Sequence, residues 1–145
     1  MSAERFKKPA DQAAVERAVA ALKGHGIDAV IVKDGAAAKA EIADRIPKGS
    51  DVFTLTSATL DAIGVTEAIN GSTDYKSVRD KLYSFDRATQ GQEMRALGSS
   101  PSWAVGSAHA VTENGEILVA SATGSQIPAY VYGAEKVIFV VGTQK

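Results

Sequence analysis

The stretch Gly106–Tyr130, GSAHAVTENGEILVASATGSQIPAY, combines a histidine, a glutamate at a turn and a Ser/Thr/Gly-rich loop that ends at a proline. Its apolar run ILVA (Ile117–Ala120) is short and bounded by turn residues, which predicts a buried strand. Asn114-Gly115 favours a sharp reversal before this strand, because both residues tolerate positive φ. We therefore expect Glu113 at that turn and SATGSQ (Ser121–Gln126) at the far end of the strand, where α/β proteins usually place their sites.

Apolar runs alternate with helical patterns on either side of this stretch. Further strands are predicted at Ala29–Val32 (AVIV), Asp51–Leu55 (DVFTL), Trp103–Val105 and Val137–Val141 (VIFVV). Strands that are continuously apolar and separated by helices indicate a parallel sheet covered on both faces, which is a three-layer α/β domain. The last strand is apolar at every position, so it is expected to be central and buried on both faces.

Helices are predicted between the strands from the spacing of apolar residues and from capping residues. The predicted helices cover Asp11–Lys23, Asp34–Arg45 with Asp34 as the cap, Ser57 to about Gly64, Val78–Phe85, Asp86 to about Gly98, and Ile127–Gly133. The first two have clear apolar faces, formed by Val15, Ala18, Val19 and Leu22 in the first and by Ala38, Ile42 and Ile46 in the second.

The composition, 145 residues with 45% hydrophobic and 23% charged, predicts one domain over residues 1–145. A formal net charge of −1 provides no basic surplus, so neither nucleic acid nor a membrane is expected as a partner. The lack of cysteine excludes disulfides, thiolate metal sites and a cysteine nucleophile within the chain. Without a secretory signal or a long apolar segment, the expected location is cytoplasmic, and Met1–Lys7 is expected to be a frayed polar start.

Hydroxyl side chains crowd the point where the DVFTL strand gives way to a helix. These are the side chains of Thr54, Thr56, Ser57 and Thr59. A helix start exposes unpaired N–H groups and a partial positive charge, so hydroxyls there favour anion binding. Thr54, Ser57 and Thr59 are therefore candidate ligand-binding residues. The alternative is simple N-capping by Ser57.

The loop Ser121–Gln126 is a second anion-friendly segment, and it precedes another helix start. Its candidate ligand-binding residues are Ser121, Gly124, Ser125 and Gln126. Together with the first hydroxyl cluster, it is expected to bring two helix N-termini to one phosphate or carboxylate, side by side at the carboxyl edge of the sheet. The alternative is a well-capped surface loop.

Glu113 and His109 are the candidate catalytic residues. A carboxylate on a rigid turn can act as a nucleophile, and an imidazole can act as a general acid or base. We expect Glu113 to point into a pocket shared with His109 and the Ser121–Gln126 loop. The alternatives are a turn glutamate that accepts backbone hydrogen bonds and a structural histidine. His25 is far away in sequence, so no metal site is predicted. No cofactor is expected either.

Several segments resemble the LUD, or lactate-utilisation, domain proteins, in particular their short single-domain members. The matching pieces are IPKGSDV (Ile46–Val52), SATLDAIG (Ser57–Gly64), GSAHAVTENG (Gly106–Gly115), ASATGSQIPAY (Ala120–Tyr130) and KVIFVVGTQK (Lys136–Lys145). Together they span most of the chain after Ile46. The resemblance implies the NagB/RpiA/CoA-transferase-like fold, shared by glucosamine-6-phosphate deaminase, ribose-5-phosphate isomerase and class I CoA transferases.

The same resemblance implies a link to the oxidation of L-lactate to pyruvate, in which a LUD subunit works with iron–sulfur partners. Similar proteins continue into a further helix, so the end at Lys145 is expected to mark a truncated or naturally short chain. TENG (Thr112–Gly115) is similar to the Ser-Glu-Asn-Gly segment of class I CoA transferases, in which the glutamate becomes an enzyme–CoA thioester. This similarity implies a covalent role for Glu113.

Three functions stay open at this point. The first is a small-anion-binding domain that is an accessory component of lactate metabolism. The second is an enzyme on the same fold, which either transfers an acyl group through Glu113 in the manner of CoA transferases or isomerises a sugar phosphate. The third is a structural subunit whose polar loops are interfaces. A homo-oligomer is compatible with all three.

Overall fold

A four-stranded parallel sheet forms the centre of the larger of two compact units in the computed structural model, which describes residues 7–145. With strands numbered along the whole chain, the sheet consists of β1 (Asp51–Thr54), β2 (Lys76–Ser77), β3 (Trp103–Gly106) and β6 (Lys136–Phe139). The strands lie in the order β2-β1-β3-β6, and every neighbouring pair is parallel. The larger unit comprises Asp34–Ser107 and Ser121–Val140.

Helices flank this sheet, and all of them except α2 (Gly35–Arg45) lie between its strands along the chain. The others are α3 (Ala58–Ala62), α4 (Val65–Asn70), α5 (Val78–Tyr83), α6 (Gly91–Ser99) and a short π-helical segment, Ala129–Gly133. The strand at DVFTL, the strand at Trp103–Val105 and the helical turns at Ile127–Gly133 are confirmed with small shifts of their ends.

Side chains that alternate along the strands build a core on each face of the sheet. On one face, Val52 and Val105 pack with residues of α2, α3 and α4, chiefly Ile42, Leu60 and Ile69. On the other face, residues at β1 and β3 pack with residues of α5, α6 and the π-helical segment. These residues are Phe53, Leu55, Ala104, Val78, Leu82, Leu97 and Ala129. The predicted α/β fold with a parallel sheet between two layers of helices is therefore confirmed.

Side-chain caps begin the helices where the sequence predicts them. Oδ1 of Asp34 accepts a hydrogen bond from the backbone N–H of Ala37 at 2.8 Å. Oγ of Ser57 accepts one from the N–H of Leu60 at 3.3 Å. Each cap satisfies a donor that has no partner within the helix, so both predicted starts are confirmed.

The helix predicted from Asp86 begins later, at Gly91. The Asp86 carboxylate instead accepts hydrogen bonds from the N–H of Ala88 at 3.0 Å and from the hydroxyl of Thr89 at 2.8 Å. These bonds close a local turn and lower the pKa of Asp86. An aspartate that bonds to its own neighbours competes with helix formation, which explains the delayed start.

The smaller unit contains α1 (Gln12–Gly24) and a hairpin of β4 (Ala110–Val111) and β5 (Ile117–Leu118). It is built from residues 7–33 of the described chain together with Ala108–Ala120 and Val141–Lys145. The N–H of Ala10 donates to the carbonyl oxygen of Thr143 at 2.8 Å, which joins two segments of this unit that are far apart in sequence. The first helix is confirmed, while the polar start predicted at Met1–Lys7 lies outside the described residues except for Lys7.

The prediction of a strand at AVIV is wrong. Residues 29–32 form no strand, and among the described residues their backbone takes part in no hydrogen bond. Val30 and Ile31 are 50% and 48% exposed. Branched apolar side chains favour an extended backbone, but a strand also requires a neighbour, and propensity does not provide one.

The prediction that ILVA is a core strand is also wrong. Only Ile117 and Leu118 are in a strand, which pairs antiparallel with β4 and leaves Leu118 49% exposed. The reversal at Asn114-Gly115 is confirmed, since Gly115 has φ 82° and donates its N–H to the carbonyl oxygen of Thr112 at 3.0 Å. This tight turn returns the chain onto the preceding segment, so the two short strands pair locally.

The last strand, at VIFVV, is present as β6, but it is not central. Within the described sheet it pairs with β3 alone and therefore lies at an edge. Val137, Ile138 and Phe139 are half-buried. A uniformly apolar strand suits burial on both faces, but strand order decides how many neighbours cover it, and periodicity does not reveal the order.

Leu60, the buried residue of α3, lies in the core and should be essential to stability. Its side chain is fully buried, so Leu60→Ala should lower the free energy of unfolding by about 2–5 kcal/mol through lost burial and a residual cavity. Chemical denaturation monitored by circular dichroism measures this change. The matched control Leu118→Ala, at a half-exposed leucine, should cost about 1 kcal/mol or less. Equal losses in the two variants would contradict the assignment of the core.

Candidate functional site

The carboxyl ends of β1 and β3 come together at one edge of the sheet, because parallel strands run in the same direction. Thr54, the last residue of β1, pairs with Val105 of β3, which ends one residue later at Gly106. Beyond these ends, the hydroxyl of Ser107 donates a hydrogen bond to Oγ1 of Thr59, with 3.4 Å between the oxygens. Residues that follow two different strands thus meet at the carboxyl edge.

The side chain of Tyr130 belongs to the same polar edge. Its ring lies against Gly106, where an added Cβ would lie 2.8 Å from Cζ of the tyrosine, so this contact requires glycine. The ring also packs on Phe139, with the two centroids 4.6 Å apart. Burial raises the pKa of the Tyr130 hydroxyl, and a hydrogen bond with the Ser107 backbone opposes this rise. Tyr130 is therefore held as a protonated phenol beside Ser107.

A half-buried guanidinium lies at the end of β1. Nε of Arg79 donates to the carbonyl oxygen of Thr54 at 2.8 Å and to Oγ1 of the same residue at 3.2 Å. Nη2 of Arg79 donates to that carbonyl oxygen as well and to Oγ1 of Thr56 at 3.3 Å. Nη1 donates to the hydroxyl of Tyr83 at 3.1 Å. These bonds fix the orientation of a positive charge at the carboxyl edge.

Thr54 and Ser57 have internal hydrogen-bond partners. Thr54 is fully buried, and its hydroxyl donates to Oδ1 of Asn70 at 3.1 Å. The same amide oxygen accepts from the hydroxyl of Ser77 at 2.9 Å. Ser57 caps α3 through Leu60. Of the three predicted ligand-binding residues in this cluster, Thr59 is the one that contacts a residue following β3.

The Ser121–Gln126 loop is organised by hydrogen bonds among its own residues. Oγ of Ser121 accepts from the N–H of Gly124 at 3.1 Å, and the hydroxyls of Thr123 and Ser125 lie 2.9 Å apart. Gly124 has φ 73°, in the left-handed region that favours glycine. The loop follows β5, which is not part of the parallel sheet, so the reason for expecting it at the carboxyl edge is removed. Its place beside residues 54–59 stays a prediction.

Glu113 has an ion-pair partner that the sequence did not reveal. Nε of Arg17, on α1, lies 2.5 Å from Oε2 of Glu113, and the two side chains are 56% and 55% exposed. The hydrogen bond from Arg17 holds the pKa of Glu113 below its ordinary value, so the carboxyl group is ionised near neutral pH. Gly115 of the same turn packs against the α1 backbone at Ala21, where an added Cβ would lie 2.9 Å from the carbonyl carbon.

His109 is exposed and bonds to the end of its own hairpin. Its N–H donates to the carbonyl oxygen of Leu118 at 2.9 Å. Nδ1 of the ring accepts from the N–H of Ala120 at 3.2 Å, which requires Nδ1 to carry no proton. Within the smaller unit, His109 and Glu113 thus have separate partners. The pocket predicted for these two residues and the Ser121–Gln126 loop stays a prediction.

A cavity of about 510 Å³ lies near the carboxyl edge but does not include the Ser107–Thr59 contact. It is lined by Asp61, Gly64, Thr66, Glu67, Asn70, Gly71 and Asp80. Three carboxylates in this wall oppose the binding of an anion. In the described part of the chain, no three His, Cys, Asp or Glu side chains are grouped so that they could hold a metal ion.

Sequence reasoning identified Thr59 but missed Ser107, Tyr130 and Arg79. Ser107 directly follows β3 and satisfies the positional rule that selects the hydroxyl cluster at the end of β1, so this signal was available. Arg79 had no such signal, because it follows β2, a two-residue strand that the sequence does not predict.

The fold and the side chains at its carboxyl edge define a class of protein. It is an α/β domain with polar groups gathered where its parallel strands end. The family model for the LUD domain matches residues 15–145, and the chain therefore belongs to the LUD domain family. This membership associates it with lactate utilisation. Neither a curated protein nor a solved structure matched the chain. Kinship with the NagB/RpiA/CoA-transferase-like fold stays a prediction.

No helix within residues 7–145 has the length and apolar character needed to cross a membrane.

The ion pair between Arg17 and Glu113 predicts a measurable titration. Arg17→Gln removes the cation, so the pKa of Glu113 should rise toward the ordinary value of about 4.3. Because the pKa is lowered in the folded state, the pair stabilises the fold above the ordinary pKa, and this contribution is lost as pH falls through the lowered value. Carbon-detected NMR of the Glu113 carboxyl group follows the titration.

Arg95→Gln, in the larger unit, is the matched control and should leave the Glu113 titration unchanged. If Arg17→Gln also leaves it unchanged, the ion pair does not form in solution.

Proposed function

We propose that this LUD-family protein binds a small anionic metabolite, a carboxylate or a phosphate, at the carboxyl edge of its parallel sheet, as an accessory component of lactate metabolism. The observation that carries this proposal is the meeting of Ser107 with Thr59, beside the protonated hydroxyl of Tyr130. Open α/β sheets bind ligands outside the carboxyl ends of their strands, and this is the edge where these hydroxyls lie.

The chemistry of the edge suits an anion. Hydroxyl groups donate hydrogen bonds to carboxylate and phosphate oxygens, and such charge-assisted bonds are stronger than neutral ones. The raised pKa of Tyr130 keeps its proton available for donation over the neutral pH range. In addition, Arg79 brings a permanent positive charge to the end of β1, which attracts an anion to this edge.

The donors are held in place before a ligand arrives. The ring of Tyr130 is fixed between Gly106 and Phe139. Thr54 and Thr56 hold the guanidinium of Arg79. Groups that are already ordered lose little conformational entropy on binding, so even a small ligand can be bound with useful affinity.

Iron–sulfur subunits are the proposed protein partners, because oxidation of lactate requires an electron acceptor and this chain has no cysteine to hold a cluster. In this proposal the chain contributes the metabolite site and a partner subunit contributes the redox centre.

Removing one hydroxyl tests the proposed site. Tyr130→Phe keeps the ring packing but removes the donor, so affinity for the bound anion should fall by about threefold to tenfold, the value of one hydrogen bond. Isothermal titration calorimetry with L-lactate, pyruvate and inorganic phosphate measures this change. Tyr132→Phe is the matched control, because Tyr132 is 95% exposed and only two residues away.

Thermal melts of the two variants separate a loss of binding from a loss of fold. If none of the three anions binds the parent protein, or if both variants bind as tightly as the parent, the carboxyl edge is not the binding site.

Acyl transfer through Glu113 is a second candidate function. The observation that favours it is an ionised, exposed carboxylate on a turn that packs against α1. In the CoA-transferase reaction, such a carboxylate attacks the acyl-CoA carbonyl, expels the CoA thiolate and forms a mixed anhydride. The thiolate then attacks the glutamyl carbonyl, which releases the free acid and leaves an enzyme–CoA thioester.

Glu113→Gln tests this candidate, because an amide is a poor nucleophile. After incubation with acetyl-CoA, the parent protein should gain the mass of CoA, and hydroxylamine should remove it. The Gln variant should gain none, whereas Glu116→Gln on the same hairpin should behave like the parent. A parent protein without an adduct, or an adduct that persists in Glu113→Gln, rejects the covalent role.

A further inference from the structure

A second cavity, of about 260 Å³, lies at the amino edge of the parallel sheet. Its wall includes Asp51 and Lys76, the first residues of β1 and β2, and Ser102, which directly precedes β3. Parallel strands place their amino ends at the edge opposite their carboxyl ends. This cavity is therefore separate from the site proposed around Ser107 and Thr59.

Two lysines, Lys76 and Lys81, contribute positive charge to the wall. Among the described residues, neither Lys76 nor Lys81 has a salt-bridge partner, although both line the cavity. By contrast, Lys48 of the same unit is paired with Asp74 at 2.9 Å. With the single carboxylate of Asp51, the lining has a net charge of +1. Unpaired cations around a concave surface raise the local concentration of anions.

The cavity also offers a hydroxyl group and an apolar wall. Among the described residues, the Ser102 hydroxyl has no hydrogen-bond partner. The backbone carbonyl oxygen of Ser102 accepts a hydrogen bond from the N–H of Lys136 at 3.0 Å, which fixes the backbone at this position. The apolar part of the wall is formed by Val78, Leu97 and Pro101. A ligand that fits this lining has a charged head and an apolar body.

The end of α6 does not prevent an anion from binding. A helix C-terminus carries partial negative charge on its last carbonyl oxygens, and α6 ends beside the cavity at Ser99. The hydroxyl of Ser100 donates to the carbonyl oxygen of Ala96 at 3.1 Å, which satisfies one of these acceptors. The net charge of +1 in the lining outweighs the remaining partial charge.

We propose that this cavity binds a small organic anion, with a carboxylate or phosphate group held by Lys76, Lys81 and Ser102 and a short apolar chain against Leu97 and Pro101. With a volume of about 260 Å³, the cavity has room for a small ligand of this kind.

Titration with butyrate and with propylphosphonate tests the proposal, and n-butylammonium serves as the cationic control. Amide shifts in nitrogen-15 NMR spectra should change saturably at Ser77, Leu97 and Ser102 with both anions and not with the ammonium ion. Lys76→Gln and Lys81→Gln should each weaken binding by roughly fivefold, the upper range for one exposed charge pair. Both lysines are exposed, so neither variant should disturb the fold.

Lys48→Gln, outside the cavity, should bind the anions like the parent protein. Tyr130→Phe should also leave this binding unchanged, which separates the amino-edge cavity from the carboxyl-edge site. Three results would overturn the proposal: no saturable shifts at the cavity residues, equal shifts with n-butylammonium, or unchanged affinity in both lysine variants.

Discussion

The parallel hydrogen bonding of β3 with both β1 and β6 is the constraint on which the larger unit depends. Parallel neighbours cannot be joined by a tight turn, so each connection has to leave the sheet, cross a face and return to the starting edge. In this chain, α3 and α4 connect β1 to β2 and cover Val105 on one face, while α5 and α6 connect β2 to β3 and cover Ala104 on the other. The three layers follow from strand direction.

The same constraint assembles the polar groups at the carboxyl edge. Thr59 and Ser107 are 48 residues apart in sequence, and they meet because each follows a strand that runs in the same direction as its neighbour. Gly106 also contributes to this edge, because the lack of a side chain at this position leaves room for the ring of Tyr130. The packing that stabilises the sheet therefore also orients the hydroxyls that are proposed to bind an anion.

Features that depend on neighbouring residues were predictable from the sequence. The caps at Asp34 and Ser57 and the reversal at Asn114-Gly115 formed as expected, because their chemistry involves atoms only a few residues apart. The parallel fold was predictable as well, because it depends on the alternation of whole elements.

Features that depend on distant partners were not predictable in this way. AVIV has the composition of a strand but no partner in the described chain, and VIFVV has the composition of a central strand but an edge position. At the site, Arg79 bonds to Thr54 over 25 residues, and Arg17 pairs with Glu113 over 96. Such contacts depend on strand order and helix placement, which hydrophobic periodicity does not encode.

The segments that form the smaller unit are far apart in sequence, and this separation affects the order in which the protein can fold during synthesis. This unit combines α1 with the β4–β5 hairpin and the last five residues, and the bond from Ala10 to Thr143 joins its most distant parts. A ribosome adds roughly 5–20 residues each second, so α1 is made several seconds before its last partners exist. Until those later segments have been made, α1 stays without its native contacts, and this is the period when a chaperone would have access to it.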